Sequence, residues 1–389
     1  MVISSLIIIL IILISFGFIE SYYHNKALSK IPIRIHVNGA RGKSSVTRLI
    51  AAGLRAGGIS TMAKTTGSAP RIIDKDGKDM IIHRLRSASI GEQVKLIRNF
   101  SRQDIQALVI ECMAVQPQYQ WISEQKMIKS TTSVITNIRP DHLDEMGSTM
   151  SDIAYSLSNT IPFNGTFITA ETDYCDEMQD VARQRNTDMH IVDSSIISED
   201  YLNKFSYLEH ADNISIALEV CKNLGVQPQV ALDGMLKTPP DPGALVIWDL
   251  LFENYRNRFV SAFAANDPKS TLKIWKLLSN RIENYSSCIF LNTRSDRRYR
   301  TNQLISLVCN EIEPKLLIIR GDDIPVSLIS QINDKNIELN ILSEKTSPGE
   351  MVDYFKTLDN FFIMGIGNIV GWGEEFVNNL KKYRKKNVS

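Results

Sequence analysis

The 389-residue chain is 43% hydrophobic and 22% charged, a balance that excludes disordered and fibrous classes and leaves material for two ordinary globular domains. Its net charge of +1 gives no bulk electrostatic reason to expect a nucleic-acid partner. Five widely spaced cysteines, none in a C-x-x-C pair, exclude a disulfide framework and a zinc site of the usual spacing.

The first predicted element is an anchor. Val2 to Ile19 carries no charge and is dominated by Ile and Leu. At 1.5 Å per residue such a helix reaches roughly 27 Å, close to a bilayer core. No basic segment precedes the run and no A-x-A-like site follows it, so a retained helix is favoured over a cleaved signal peptide. Lys26, Lys30 and Arg34 follow it, which places the remainder in the cytoplasm by the positive-inside bias, with Tyr22 and Tyr23 at the boundary. The expected location is therefore the cell membrane, single-pass, with cytoplasmic catalytic domains.

A short β-branched run, Ile33–Val37, leads into Asn38-Gly39-Ala40-Arg41-Gly42-Lys43-Ser44-Ser45 and then a helical pattern. Glycines let backbone N–H groups close on phosphate oxygens, Lys43 supplies a compact cation, and Ser44 offers a hydroxyl to magnesium. Position 37 is Val where the full G-x-x-x-x-G-K-[ST] pattern has Gly, so only the shorter G-x-x-G-K-S form is present. ATP and Mg2+ are the expected cofactors, with Gly39, Ala40, Arg41, Gly42, Lys43, Ser44 and Ser45 as binding residues.

Further strands are expected at 107–111, 133–136, 166–170 and 190–192, alternating with helical patterns. A second series follows at 259–263, 288–292, 315–320 and 361–364. The cluster Pro239-Pro240-Asp241-Pro242-Gly243 separates the two series. The fold class expected is α/β: an N-terminal transmembrane helix (1–20), a juxtamembrane linker (21–30), a central P-loop ATPase domain with a mostly parallel sheet (31–243), and a smaller Rossmann-like α/β domain (244–389). Glu111 closes an apolar strand, where a carboxylate meets magnesium held by Lys43 and Ser44; a capped strand end is the alternative. The run Asn137-Ile138-Arg139-Pro140-Asp141-His142-Leu143-Asp144 packs Asn, Asp and His after another strand.

These segments together resemble the Mur ligases and their folylpolyglutamate synthase relatives. Gly39–Ser44 is similar to the G-T-x-G-K-[ST] loop of that family, Glu111 to its metal-binding Glu, and Asn137–Asp144 to its N-x-x-x-D-H-x-D signature. Thr65–Pro70 resembles the family's Thr-Gly-Thr segment, and Glu209–Asn213 its adenine-side segment. Ala264–Ser270 resembles A-H-N-P-x-S, and Arg294–Arg297 the Gly-Asp-Arg segment. Within the family the likeness narrows to the ligase subunit of poly-γ-glutamate synthase, the PgsB or CapB type. That type shares the anchor, Pro240–Leu245, Phe263–Pro268 and Gly367–Glu375.

The resemblance implies ligation through an acyl phosphate. Lys43, Glu111 and His142 would be catalytic, with Ser44, Glu111 and His142 as metal ligands. Asn213, Asp296 and Arg297 would contact nucleotide, and Thr66, Gly67, Arg84, Arg86 and Asn266 substrate. Implied partners are glutamate, the growing poly-γ-glutamate chain, small membrane subunits of one synthase, the membrane and a second copy of the chain, with no nucleic acid. Two departures stand out. No Lys lies between Lys129 and Lys204, where many such ligases carry a carbamylated Lys, and Ala265 replaces the motif's His. A membrane-anchored ATPase driving assembly or export of a surface polymer is the alternative function.

Overall fold

A computed structural model describes residues 2–67, 70–82, 89–202, 204, 205, 207, 209–241, 245–253, 255–263, 265, 268–279, 284–294, 298–322 and 324–385. The chain divides into two compact units, residues 1–205 with 209–239, and residues 206–208 with 240–389. Helix α1, Val2–Ser29, opens the first unit. Its stretch from Ile3 is long and apolar enough to cross a bilayer. The helix runs unbroken past the apolar segment, and Ala27 and Leu28 are buried near its end.

Among the described residues the first unit carries an eight-stranded sheet in the order β4-β3-β2-β5-β1-β6-β7-β8. Its strands are β1 (Ile33–Asn38), β2 (Thr61–Thr65), β3 (Arg71–Ile73), β4 (Asp79–Ile81), β5 (Ala107–Glu111), β6 (Thr132–Ile135), β7 (Thr166–Thr169) and β8 (Asp188–Ile191). All pairings from β2 to β8 are parallel, and β3 and β4 add an antiparallel margin. Strands β5 and β6 are buried along their whole length, which is why they read as continuous apolar or small-residue runs instead of alternating ones. The connection from β1 leads through a helix to β2 on one side, and that from β6 leads to β7 on the other, so the strand order switches direction between β1 and β6. That crevice is where open α/β sheets bind ligands. Helix α2, Lys43–Ala56, starts there, and its buried face, including Val46, Leu49, Ile50 and Leu54, packs on the sheet.

Polar groups inside this layer fix β1. His36 is fully buried and its Nδ1 lies 2.8 Å from Glu124 Oε2, while Glu124 Oε1 accepts from Ser130 N at 2.8 Å and Ser130 Oγ at 3.0 Å. Burial opposes the imidazolium, but the neighbouring Cys112 sulfur and the Glu124 carboxylate outweigh it and raise the His36 pKa to about 9. Asn38 Nδ2 donates to Gln120 Oε1 at 2.8 Å, tying the end of β1 to the helix Pro117–Ile122.

The second unit carries β13-β12-β11-β14-β10-β9. Its strands are β9 (Val246–Phe252), β10 (Tyr255–Ser261), β11 (Ser286–Asn292), β12 (Leu316–Arg320), β13 (Glu338–Leu342) and β14 (Phe361–Gly367). Among the described strands of this sheet only the β9–β10 pair is antiparallel. Trp372 stacks on Phe376 at 5.3 Å and 12°, with the Arg320 guanidinium 4.2 Å from its ring, so this tryptophan serves internal packing. The basic terminal segment is bound to the sheet through Lys385. Tyr383 packs on Phe252 at 5.1 Å, Arg384 bridges Leu250, and Lys385 N donates to Asp249 O at 2.8 Å.

The His36–Glu124 pair makes stability depend on pH. An unfolded imidazole titrates near 6.5, so the pair's contribution is complete below that value and is lost as pH rises through about 9. Thermal unfolding of the wild type followed across this window is expected to show a loss of up to about 3 kcal/mol. Glu124→Gln is expected to be less stable at neutral pH and to show a flatter slope; parallel slopes for the two proteins would contradict the pairing.

Candidate active site

At the end of β1 the chain turns through Gly39, whose φ of +129° is open to glycine. A Cβ there would lie 2.1 Å from Thr136 Oγ1 and 2.8 Å from Thr136 N. Thr136 N is itself pinned to Asn38 O at 2.9 Å, so the neighbour cannot yield. Gly42, φ +84°, caps α2, and a Cβ on it would meet Asn213 Oδ1 at 2.8 Å. Between the two glycines the loop is laced to the end of β6. Ala40 N donates to Asn137 O at 3.0 Å and Arg41 N to Asn137 Oδ1 at 3.1 Å, while Arg41 O accepts from Thr136 Oγ1 at 2.6 Å and Asn137 Nδ2 at 3.0 Å. The loop is therefore preshaped, with the N-terminus of the 14-residue α2 behind it. Backbone N–H groups at such a terminus, with the helix dipole, favour an anion.

Lys43 and Ser44 open that helix. Lys43 Nζ donates to Gly39 O at 2.6 Å and Ala40 O at 3.2 Å, which holds the ammonium over its own loop. Ser44 Oγ donates to Glu111 Oε2 at 2.8 Å, and the same oxygen accepts from Thr66 N at 2.7 Å. Glu111 is only 2% exposed. A buried carboxylate demands compensating donors or a cation. A hydroxyl and a carboxylate side by side are hard oxygen ligands of the kind magnesium takes, with phosphate oxygens and water completing its shell. The residues present thus fit a divalent cation bound to a phosphate ester.

The remaining expected site residues distribute unevenly. Ala40 is buried and Arg41 exposed, while Ser45 is half-buried in the first turn of α2. Asn213, on the helix Ala211–Asn223, is 5% exposed and lies under Gly42, its amide donating to Glu209 Oε1 at 2.7 Å. That contact makes it a support of the loop. Thr66 joins the site through its backbone N–H, and Gly67 follows it on the surface. His142 caps a short helix, Leu143–Met146, with φ +44° and a half-exposed side chain whose Nε2 is 3.8 Å from Asp141 Oδ1. No group of three or more His, Cys, Asp or Glu side chains arranged to hold a metal occurs among the described residues. Of the three expected ligands, hydrogen bonding joins Ser44 to Glu111. Arg84, Arg86, Asn266, Asp296 and Arg297 lie outside the described residues.

Sequence reasoning missed Thr136, which faces Gly39, and named Glu209 only as the start of the Glu209–Asn213 segment, not as the residue that holds Asn213. Burial raises the Glu209 carboxyl above its ordinary value, against hydrogen bonds from Asn213 and the His210 backbone. The Gly39–Thr136 contact crosses a long stretch of chain and leaves no local pattern, while Glu209 reaches the loop through Asn213, four residues on, which lies under Gly42. Beside the loop, a cavity of about 470 Å3 is lined by Thr136, Asn137, Glu171, Asp173, Asp193 and Asp212, among others.

The Mur ligase middle domain matches residues 37–235, and the poly-gamma-glutamate synthase CapB C-terminal domain matches residues 248–383. The chain is 38% identical over 373 residues to the capsule biosynthesis protein CapB of Bacillus anthracis, covering 95% of this chain and 80% of that protein. It is 36% identical over 389 residues to the PGA synthase CapB of Bacillus subtilis (strain 168), covering 98% and 99% respectively. Among solved structures, folylpolyglutamate synthase from Thermotoga maritima superposes with a TM-score of 0.64 at 13% identity, over 93% of each chain. A bifunctional folylpolyglutamate synthase/dihydrofolate synthase from Yersinia pestis, complexed with AMPPNP and Mn ion, gives 0.63 at 13% identity over 92% of this chain and 91% of that one. At such identity these two likenesses speak to the fold alone.

The loop's geometry predicts a sharp contrast between glycines. Gly39→Ala is expected to cost ~2–4 kcal/mol in thermal or denaturant unfolding. Gly58→Ala, at φ +81° with nothing within 4 Å of its Cβ, carries backbone strain alone and is expected to cost about 1 kcal/mol. Equal costs would contradict the close approach of Thr136.

Proposed function

The chain belongs to the poly-γ-glutamate synthase CapB family of Mur-type ligases, and from that membership we propose an ATP-dependent amide ligase that polymerises glutamate through a γ-glutamyl phosphate. The observation that carries the mechanism is the buried Glu111 carboxylate joined to Ser44 at the mouth of a glycine-built loop.

In this reaction a γ-carboxylate oxygen of glutamate attacks the γ-phosphorus of ATP, the bond to the β-phosphate bridging oxygen breaks, and ADP leaves. The amine of a second glutamate, having lost a proton, then attacks the acyl carbon. The carbon–oxygen bond to phosphate breaks, and an amide and inorganic phosphate result. No enzyme nucleophile is needed, so the protein's work is positioning and charge neutralisation. Loop N–H groups and the start of α2 cradle the phosphates. Lys43, whose ammonium is held over the loop by Gly39 O and Ala40 O, would turn it to the β- and γ-phosphates once they enter. Ser44 and Glu111 would hold Mg2+, which when bound neutralises charge on the transferring phosphoryl group. His142 is the further metal ligand proposed, on the strength of the Asp141-His142 signature; its half-exposed ring is open to a ligand. The cavity between Asn137 and Asp212 would take the nucleoside end of ATP.

The division proposed is an anchor at 1–20 continued through 21–30, an ATPase domain at 31–243 and a ligase domain at 244–389. Asp296 and Arg297 are the further nucleotide contacts proposed, and Thr66, Gly67, Arg84, Arg86 and Asn266 the proposed contacts of glutamate or polymer. The apolar helix would hold the enzyme at the cell membrane, with its domains cytoplasmic, beside small membrane subunits of the same synthase.

Membranes containing this chain and its partners are expected to release ADP in a glutamate-dependent way. Lys43→Ala and Glu111→Gln should each lower that rate at least ~100-fold. ADP release indifferent to glutamate would overturn the ligase reading in favour of an export or assembly ATPase.

A further inference from the structure

Helix α1 leaves no slack between its apolar span and the folded domain. Its large side chains from Ile3 to Tyr23 are exposed. Contact with the domain begins at Glu20, where Arg98 Nη1 donates to the carboxylate at 2.9 Å and Nη2 to the Glu20 carbonyl at 2.9 Å. One turn later His24, 6% exposed, donates from Nε2 to Met127 O at 2.6 Å, and Lys129 Nζ donates to Asn25 Oδ1 at 2.9 Å. Ala27, Leu28 and Ile31 then enter a core with Ile97, Phe100, Ile105 and Ile128. The uncharged run Val2–Ile19 measures roughly 27 Å as a helix, slightly less than a hydrocarbon core of about 30 Å. Glu20, Tyr22 and Tyr23 therefore fall in the interfacial layer of a spanned bilayer, and so do the groups that clamp them. Arg98 compensates the first charge on the helix at that depth.

The clamping groups share one edge of the sheet. Arg98 and Phe100 end α3 (Glu92–Phe100), Ile105 precedes β5, and Met127 and Lys129 precede β6. This is the edge where the parallel strands begin, opposite the edge that holds Gly39, Glu111 and Asn137. It carries Lys26, Lys30, Arg98, Arg102, Lys126 and Lys129. The carboxylates beside α1 are Glu20, already paired with Arg98, and Asp104; farther along the same edge Asp74 and Asp76 sit in the β3–β4 turn with Lys75 and Lys78, and Asp188 opens β8. Lys126 also lies 5.3 Å from the centroid of the exposed Trp121 ring.

We propose that the strand-start edge of the central domain lies against anionic phospholipid headgroups, with α1 and the domain moving as one rigid body. This rests on α1 spanning the membrane. The charge is complementary to an anionic leaflet, and the uninterrupted, clamped helix removes the freedom by which a tethered domain would swing away. The six-residue β1 spans about 20 Å, so the phosphate loop stands at most about 20 Å farther from the headgroups than the strand-start edge.

The test uses the full-length chain in lipid nanodiscs of phosphatidylcholine with phosphatidylglycerol, doped with a headgroup-labelled nitroxide lipid. In a Cys175→Ser background the other cysteines are buried, so a fluorophore can be placed singly by Gln103→Cys at the strand-start edge or by Ser195→Cys beyond the end of β8. Quenching several-fold stronger at position 103 than at 195, and reduced by Arg102→Glu with Lys129→Glu or by omitting the anionic lipid, is expected. A chain that inserts but shows equal quenching at both positions overturns the docking alone. A chain that does not insert overturns both the span and the docking.

Discussion

The Glu111 carboxylate governs the architecture of the site. It is buried at the end of β5 and accepts from Ser44 in the first turn of α2 and from the backbone of Thr66 just past β2. Three separate segments thus converge on one oxygen. An ionised carboxylate taken from water is costly unless donors or a cation surround it. The loop around it can be built only where Gly39 and Gly42 let backbone approach Thr136 and Asn213. Chemistry and folding share these contacts, so a change that loosens the loop also disturbs the place where a phosphate-bound cation would sit.

Much of this was legible from the residues. The run Ala107–Glu111 is an apolar strand ending in a charge, and it is the strand observed as β5. The phosphate loop and the following helix also lie where their pattern puts them. Strand β2 was hidden because its Lys64, fully buried and 3.3 Å from Glu92, interrupts the apolar pattern with a charge that only tertiary structure pairs. Strand β13 was hidden because edge strands are half-exposed and carry polar residues such as Glu338 and Asn340. Glu209 stood only inside the Glu209–Asn213 segment, and Thr136 was not singled out because its partner Gly39 lies far away along the chain. His24 read as an ordinary residue for the same reason, although its bond to Met127 helps fix α1.

The fold shared with folylpolyglutamate synthase at 13% identity shows how little of a ligase's sequence the architecture requires. In this chain the parallel sheet's first strand delivers a glycine loop at a switch point, flanked by a strand ending in Glu111 and another leading to Asn137. Activity belongs to that grafted site and not to the sheet.

An acyl-phosphate mechanism makes one demand that a motor or a hydrolase does not: oxygen must pass from the glutamate γ-carboxylate to phosphate. Turnover with glutamate labelled by 18O at the γ-carboxylate, followed by mass analysis of released phosphate, tests this directly. The account predicts one labelled oxygen in phosphate for each amide bond formed. Unlabelled phosphate accompanying polymer formation would contradict it.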